Sequence, residues 1–397
     1  MSNTAISAQP FYQKIQLDIP DGQRIRNCLQ CGNCSGICPF GYAMELPPSR
    51  MIAEVRANRF NRLLDTENIW MCVSCSACTT VCPANIPLTN GLMAFAKEEL
   101  LLAGNVPTEL QTALENSQRY GNPLGESPRK RSDWTKEITP EVKILGKYRQ
   151  PVENLWFVGD YASYHPRVQQ ASIAFAKILN ALGIDFGILG PEEFSDGDSQ
   201  RLAGEKGLFE MLAEKNIKSF EKYQFKQIIT TDPHAYNALK NEYPLLGYSS
   251  PVLHYAEFLS ERIPQLEPLL TKKISKSITF HDPCYLGRVN GIYDAPRDVL
   301  KKIPGIELIE MPHHRSNSLC CGGGGGGMWM DGFHWEKSQA RLSEWRISEA
   351  LESKADILVI ACPYEAPRFE DAAKNKDNTG KLKVLDIAEL LIESMGI

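Results

Sequence analysis

Twelve cysteines punctuate this chain of 397 residues, and eight of them fall between residues 28 and 82. Cys28, Cys31, Cys34 and Cys38 read C-x2-C-x2-C-x3-C-P, closed by Pro39. Cys72, Cys75, Cys78 and Cys82 repeat the spacing, closed by Pro83. Three thiolates set two residues apart can wrap one face of a compact metal–sulfur cube, while the proline turns the chain so that the fourth reaches across. Structural zinc needs only two C-x-x-C pairs. Neither zinc nor a disulfide framework explains a third C-x-x-C step followed by Cys-Pro, twice over. The chemistry implied is iron–sulfur electron transfer.

The double run resembles the bacterial two-cluster ferredoxins, in which three cysteines of one run and the fourth of the other hold each [4Fe–4S] cluster. Carried over by position, that resemblance implies one cluster on Cys28, Cys31, Cys34 and Cys82, and another on Cys72, Cys75, Cys78 and Cys38. Helices must position them. Pro47-Pro48 opens a helix with Met51, Ile52 and Val55 at helical spacing. Another is expected around Leu63 and Leu64, before Trp70, which reads as a packing residue rather than an electron relay. Thr89 or Asn90 is expected to cap a third, carrying Leu92, Phe95, Ala96 and Leu100. Such helices would exclude water and help set the reduction potential. Residues 1–100 are read as this α-helical domain. Residues 101–150, polar and with four prolines, are read as a linker with room for one helix, its Arg129-Lys130-Arg131 cluster a solvated one.

From Leu155 onward short apolar strands alternate with amphipathic helices, which argues for α/β architecture with largely parallel sheets. Strands are expected at 155–158, 186–189, 228–231, 278–280, 306–309 and 357–360. Helices are expected across Val168 to Leu182, through Ala238 and Leu239, near Val299, and from Glu336 to Leu351. The region divides into two halves, 151–270 and 271–397, that can be laid over each other by their loops. Asp160-Tyr161 answers Cys284-Tyr285, with Arg167 or Arg288 shortly after. Ser195-Asp196-Gly197 answers Cys320-Cys321-Gly322, and Asp232-Pro233-His234-Ala235 answers Cys362-Pro363-Tyr364-Glu365. All these loops follow strands and would gather at one carboxyl edge, where α/β folds bind ligands. Four thiolates there make a metal site; a serine and three aspartates do not make an iron–sulfur one.

Residues 281 to 327, from His-Asp-Pro-Cys-Tyr-Leu-Gly-Arg to Cys-Cys-Gly-Gly-Gly-Gly-Gly-Gly-Met-Trp, resemble the cysteine-rich "CCG" domain of heterodisulfide reductases. Iron–sulfur subunits of anaerobic glycerol-3-phosphate, lactate and glycolate dehydrogenases share that domain. With the N-terminal runs, the whole chain from about residue 20 resembles a fusion of the small and the cysteine-rich subunits of heterodisulfide reductase. The resemblance implies a third [4Fe–4S] cluster, cubane or non-cubane, on Cys284, Cys320, Cys321 and Cys362. The family pattern ends in C-x-x-C, but here Glu365 stands at the last position, as a weak oxygen ligand or a solvated acid. The first half has lost every such ligand. Gly322 and Gly323, opening a run of six glycines, are candidates for N–H groups that approach the cluster sulfurs; otherwise the run is a flexible linker. His281, His313 and His314 could hydrogen-bond a cluster or donate protons, or be ordinary polar loop residues.

A net charge of −5 argues against a nucleic-acid partner. No apolar run reaches the ~18 residues of a membrane helix, and Met1 to Pro20 lacks the features of a signal peptide. Thiols kept for metal imply a reducing, cytoplasmic location, peripheral to a membrane only through a partner. No nucleotide fingerprint stands out, so a flavin or nicotinamide would belong to a partner. The expected function is an electron-transfer subunit of an anaerobic oxidoreductase complex, working with flavin-containing or membrane-bound redox subunits. The alternatives are a catalytic disulfide reductase acting at the four later cysteines, and a two-cluster ferredoxin on a metal-free docking scaffold.

Overall fold

The computed structural model describes residues 11–397. The first ten residues, half of the stretch read for a signal peptide, lie outside it. Around the two cysteine runs the chain forms short helices. Pro47-Pro48 opens Pro48–Arg56, which buries Met51, Ile52 and Val55. Proline fits a first helical turn because its missing N–H would go unbonded there anyway. Ahead of helix Ala94–Leu102 the backbone makes a wide turn, Leu88–Met93. The expected cap at Thr89 or Asn90 is not made. Thr89 instead ties the Cys78 loop down, exchanging 3.1 Å hydrogen bonds with the Thr79 hydroxyl.

Residues 101–150 are packed rather than solvated. Helix Thr108–Tyr120 buries Leu110, Ala113, Leu114 and Ser117. Of the cluster expected to be solvated, Arg129 and Lys130 are exposed, but Arg131 is buried, 2% exposed. Among the described residues nine strands form two all-parallel sheets. The first contains β1 (Lys143–Ile144), β2 (Asn154–Phe157), β3 (Phe186–Ile188), β4 (Gln227–Thr230) and β5 (Val252–His254), in the order β1-β3-β2-β4-β5. The second contains β6 (Lys276–Phe280), β7 (Ile306–Leu308), β8 (Ile357–Ile360) and β9 (Lys383–Asp386), in the order β7-β6-β8-β9. With β1 set aside, both sheets share one order: second strand, first, third, fourth. In register, Leu155 faces Ile228 on β2 and β4, and Ile278 faces Ile357 on β6 and β8.

Helices cover the sheets with their apolar faces. Pro166–Ala181 buries Val168, Phe175, Ile178 and Leu179. Phe175 meets Trp156 edge-on at 5.0 Å and Tyr255 at 5.4 Å. The helix expected from Glu336 to Leu351 is broken into Asp331–Ser338 and Leu342–Glu352 at Gln339, whose φ is +54°. One hydrophobic core runs through both halves. A second core fills the cysteine-run domain and reaches Cys320, Met330 and Leu342. Arg167 clamps the halves together, with its guanidinium on Glu370, Glu389 and the Val384 carbonyl. Among the described residues, no helix is long and apolar enough to cross a membrane.

Candidate metal centres

The two cysteine runs share one backbone course. Gln30 and Gly32 in the first, and Ser74 and Ser76 in the second, all have positive φ. Each pair stands at the same offsets from its cysteines. Only glycine adopts this region without cost, so three non-glycine residues held there mark loops shaped by their surroundings. The turns aim backbone N–H groups at sulfur: Gln30 N–H lies 3.5 Å and its side-chain amide 3.1 Å from Cys28 Sγ. Cys28, Cys31, Cys34 and Cys82 line one cavity, with Ile52 and Ile86 in its wall. Cys38, Cys72, Cys75 and Cys78 line another, walled by Phe40, Met44 and Met93. The structure thus brings the eight thiols together in the two crossed sets expected from the sequence.

Burial, then the neighbouring Cys72 and Cys75 thiolates, push Cys78 up to about 12, and burial with the same neighbours raises Cys38 too. Four thiolates this close need a cationic group between them, so the donor sets fit a [4Fe–4S] cluster. Binding it would release the protons. Beside the second cavity lies Lys97, fully buried, a residue that sequence reasoning passed over. Its ammonium donates to the carbonyls of Cys72 (2.8 Å), Gly325 (2.7 Å) and Leu202 (3.3 Å). Burial lowers it to about 8. A charged residue in the apolar stripe of Met93, Ala96 and Leu100 was the available signal.

The later cysteines stand, as expected, in loops at the carboxyl edge of the second sheet. The Cys320 thiol is near enough to those of Cys284, Cys321 and Cys75 to be raised by them, and it shares a cavity wall with Cys75, which also lines the second cluster cavity. Gly322 N–H lies 3.2 Å from Cys320 Sγ, and Gly323 N–H lies 3.4 Å from Cys321 Sγ. The rest of the glycine run lies against the Cys72–Cys75 loop: a Cβ on Gly325 would be 2.3 Å from Ser74 Oγ, and one on Gly324 2.7 Å from the Val73 carbonyl. The run is glycine because two backbones meet there. Arg288 reinforces the junction, donating to the Cys75 carbonyl at 2.9 Å and the Ser318 carbonyl at 2.5 Å. Cys362 lines a separate small void with Val168, Thr231 and Asp386, and senses Cys321 through charge.

Of the three histidines His281 is the one that reaches the Cys321 thiol, while His313 lines the cavity beside Cys320. His281 Nε2 is 3.1 Å from Glu365, and its Nδ1 accepts from Arg346 at 3.0 Å. Arg346, fully buried, was also missed; its signal is the i,i+4 row Leu342, Arg346, Ala350. Glu365 is 1% exposed and therefore not a solvated acid. His313 pairs with Glu349 and His314 lies 3.9 Å from Glu310, both at the surface. Between the two domains opens a cavity of about 650 Å³ whose wall includes Cys38, Cys75, Cys320, Arg288, Tyr42 and Trp345.

In the first half the corresponding loops hold a buried network of charged groups, in which Asp160 Oδ2 has no hydrogen bond. Arg131 bonds Asp160 at 2.6 Å and Glu193 at 2.8 Å. Glu193 also accepts from the Val158 and Gly159 N–H groups. Asp198 takes His234 at 2.8 Å, and His234 stacks on Tyr285 of the second half with ring centres 4.2 Å apart. Burial raises Asp196, and burial lifts Asp232 to about 6.

Comparison with known proteins agrees with this layout. Residues 24–86 match a 4Fe-4S dicluster domain, and residues 155–240 and 278–364 each match a cysteine-rich domain. A probable iron-sulfur-binding oxidoreductase, FadF, of Bacillus subtilis (strain 168) is 34% identical over 93% of this chain and 59% of its own length. The EtfAB:quinone oxidoreductase of Syntrophomonas wolfei is 34% identical over 93% of this chain and 58% of its own. A dihydromethanophenazine:CoB–CoM heterodisulfide reductase polypeptide of Methanosarcina barkeri (strain Fusaro) is 32% identical, over 70% of this chain and 66% of its own length. A crystal structure of a hypothetical Helicobacter pylori protein shares the fold, with TM-score 0.56 at 12% identity, over 98% of this chain and 75% of that one. The chain spans just under three fifths of the length of the first two relatives. Its architecture is that of an iron–sulfur protein joining a dicluster domain to a duplicated cysteine-rich domain. It belongs to the heterodisulfide reductase-like, CCG-type iron–sulfur proteins, and its cofactors are [4Fe–4S] clusters.

Proposed function

We propose that this protein is the iron–sulfur electron-transfer part of an oxidoreductase complex. It takes electrons from a flavin-containing or membrane-bound partner and relays them through two cubane clusters to a third centre in the second cysteine-rich half. Cys28, Cys31, Cys34 and Cys82 hold the first cluster; Cys72, Cys75, Cys78 and Cys38 the second; Cys284, Cys320, Cys321 and Cys362 the third. The working units are residues 1–100, the connecting segment 101–150, and the halves 151–270 and 271–397. The protein works in the cytoplasm, peripheral to a membrane only through its partner. A quinone as final acceptor is supported by the name of the Syntrophomonas relative.

The observation that carries the reading is that Cys75 and Cys320 line one cavity wall. A thiol of the second set thus stands beside one of the third, which supports transfer between the two centres. When bound, the clusters supply one-electron storage. The chain's residues hold them, exclude water with Phe40, Met44 and Met93, and offer N–H donors to the sulfurs, which raise the potential. A second reading, direct reduction of a disulfide, is favoured by the cavity of about 650 Å³ beside Cys320. Iron and acid-labile sulfide per chain, measured on anaerobically purified protein, test the cluster count. About twelve irons support three clusters; about eight would reduce the protein to a dicluster module on a metal-free scaffold. Oxidation of the reduced protein by a quinone rather than by disulfides separates the first reading from the second.

A further inference from the structure

Beside the Cys320–Cys321 loop, three donor atoms from His281, Cys321 and Glu365 lie within 4.8 Å of one another, all buried. Glu365 opens helix Glu365–Lys376, which follows directly on the Cys362 loop at the carboxyl edge of β8. One carboxylate oxygen, Oε1, faces His281 Nε2 at 3.1 Å. The other, Oε2, is buried and has no hydrogen-bond partner. A carboxylate oxygen shut away from water with nothing to bind is costly unless a cation meets it. His281 cannot turn to meet both oxygens, because its Nδ1 is held by the Arg346 guanidinium at 3.0 Å and Arg346 is itself fixed by Glu349 at 2.7 Å. The ring and the guanidinium thus leave Oε2 without a bond of its own, on a carboxylate that lies beside the Cys321 thiol and the Ala361 N–H. At the matching position of the first half, whose loops carry no thiols, stands Ala235. The carboxylate occurs only in the half that has cysteines.

We infer that Glu365, oriented by His281, is an oxygen ligand of the third iron–sulfur centre. The inference rests on the proposed third cluster and revises its ligand set: Cys284, Cys320 and Cys321 hold three irons, and Oε2 of Glu365, rather than the thiol of Cys362 in its separate void, holds the fourth. Coordination uses the ionised carboxylate, with the imidazole proton staying on Nε2 and bonded to Oε1. A carboxylate suits iron less well than a thiolate does, so the iron it holds is the exchangeable one. It is also the iron at which an outside ligand could enter.

The test uses the full chain, purified anaerobically, as wild type, Glu365→Gln, Glu365→Ala and Glu365→Cys. Iron per chain is measured before and after brief exposure to ferricyanide with EDTA, alongside EPR and Mössbauer spectra. In the wild type about one iron of twelve should leave, with a three-iron EPR signal appearing. Glu365→Gln keeps an oxygen acceptor for His281 but is a poor ligand, so it should be isolated already one iron short. Glu365→Cys should hold all its iron through the treatment. A merely structural Glu365 would leave Glu365→Gln and Glu365→Cys with wild-type iron and spectra, and that result overturns the inference while leaving the third cluster standing. A wild type with about eight irons would overturn the third cluster, and the inference with it. Circular dichroism identifies a variant that has not folded, and Glu365→Gln, nearly the same shape, guards against that for Glu365→Ala.

Discussion

Replacing Lys97 by Met removes a positive charge from the edge of the second cluster cavity while keeping most of the side chain's length. The ammonium donates to the carbonyl of Cys72, itself in the ligand set, at 2.8 Å. For a separation on the order of 7 Å, a unit charge at an effective dielectric near 20 is worth about 2–3 kcal/mol. The reduced cluster carries one more negative charge than the oxidised one, so the lysine favours reduction. Its loss should lower the one-electron potential of that cluster by roughly 100 mV, at about 59 mV per tenfold change. An EPR-monitored redox titration reads this directly. The cluster on Cys28, Cys31, Cys34 and Cys82 is an internal reference, since Lys97 makes no contact with its loops. Lys97→Arg keeps the charge and separates its effect from the lost hydrogen bonds to Cys72, Leu202 and Gly325. Equal shifts in both clusters, or a shift below about 20 mV in the second, would show that the buried charge does not tune the centre.

Arg131→Met should destabilise the α/β region by about 3–5 kcal/mol, because Asp160 and Glu193 are left as buried carboxylates without their cation. The deficit, followed by anaerobic thermal melts, should shrink as the pH falls from 7 toward 5. The uncompensated carboxyls then bind protons more readily in the folded chain than in the unfolded one, and a constant deficit would contradict this. Burial lowers His254 to about 3, against about 6.5 when unfolded. Between those values the unfolded state binds the extra proton, so stability is full above pH 6.5 and falls as the pH drops toward 3. His254→Asn, which can still cap helix Tyr255–Ser260, should flatten that part of the stability profile.

What could be read from the sequence were the features made of local spacing. The two crossed cysteine sets follow from repeated C-x-x-C steps, and the strands at 155–158 and 357–360 follow from apolar runs buried on both faces. β5 and β9 escaped because they are edge strands: Val252-Leu253-His254 and Lys383-Val384-Leu385-Asp386 need no apolar run when only one side is paired. β1 was lost inside a proline-bearing stretch. The shared cavity wall of Cys75 and Cys320 and the buried Arg131 were out of reach for another reason. Each joins residues far apart in the chain, and no periodicity records which loop a sheet edge will face. Glu365 sat at the right position but carried an ambiguous residue type, and only its burial excludes the solvated reading.

The two halves share one strand order but solve the same electrostatic problem in opposite ways. At the carboxyl edge of the second sheet, thiols gather where a cluster can supply positive charge. At the same edge of the first sheet, Asp160, Asp196 and Asp232 occupy the matching loops, and positive charge must come from the protein. Arg131 provides it to Asp160, from the segment before β2 and outside the duplicated unit, and His234 provides it to Asp232. Residues 101–150 are thus part of how the first half stands without thiols, since their guanidinium lies between Asp160 and Glu193. The change from thiols to carboxylates in that half and the burial of an arginine from the preceding segment belong together. Either alone would leave charge in the core with nothing to answer it.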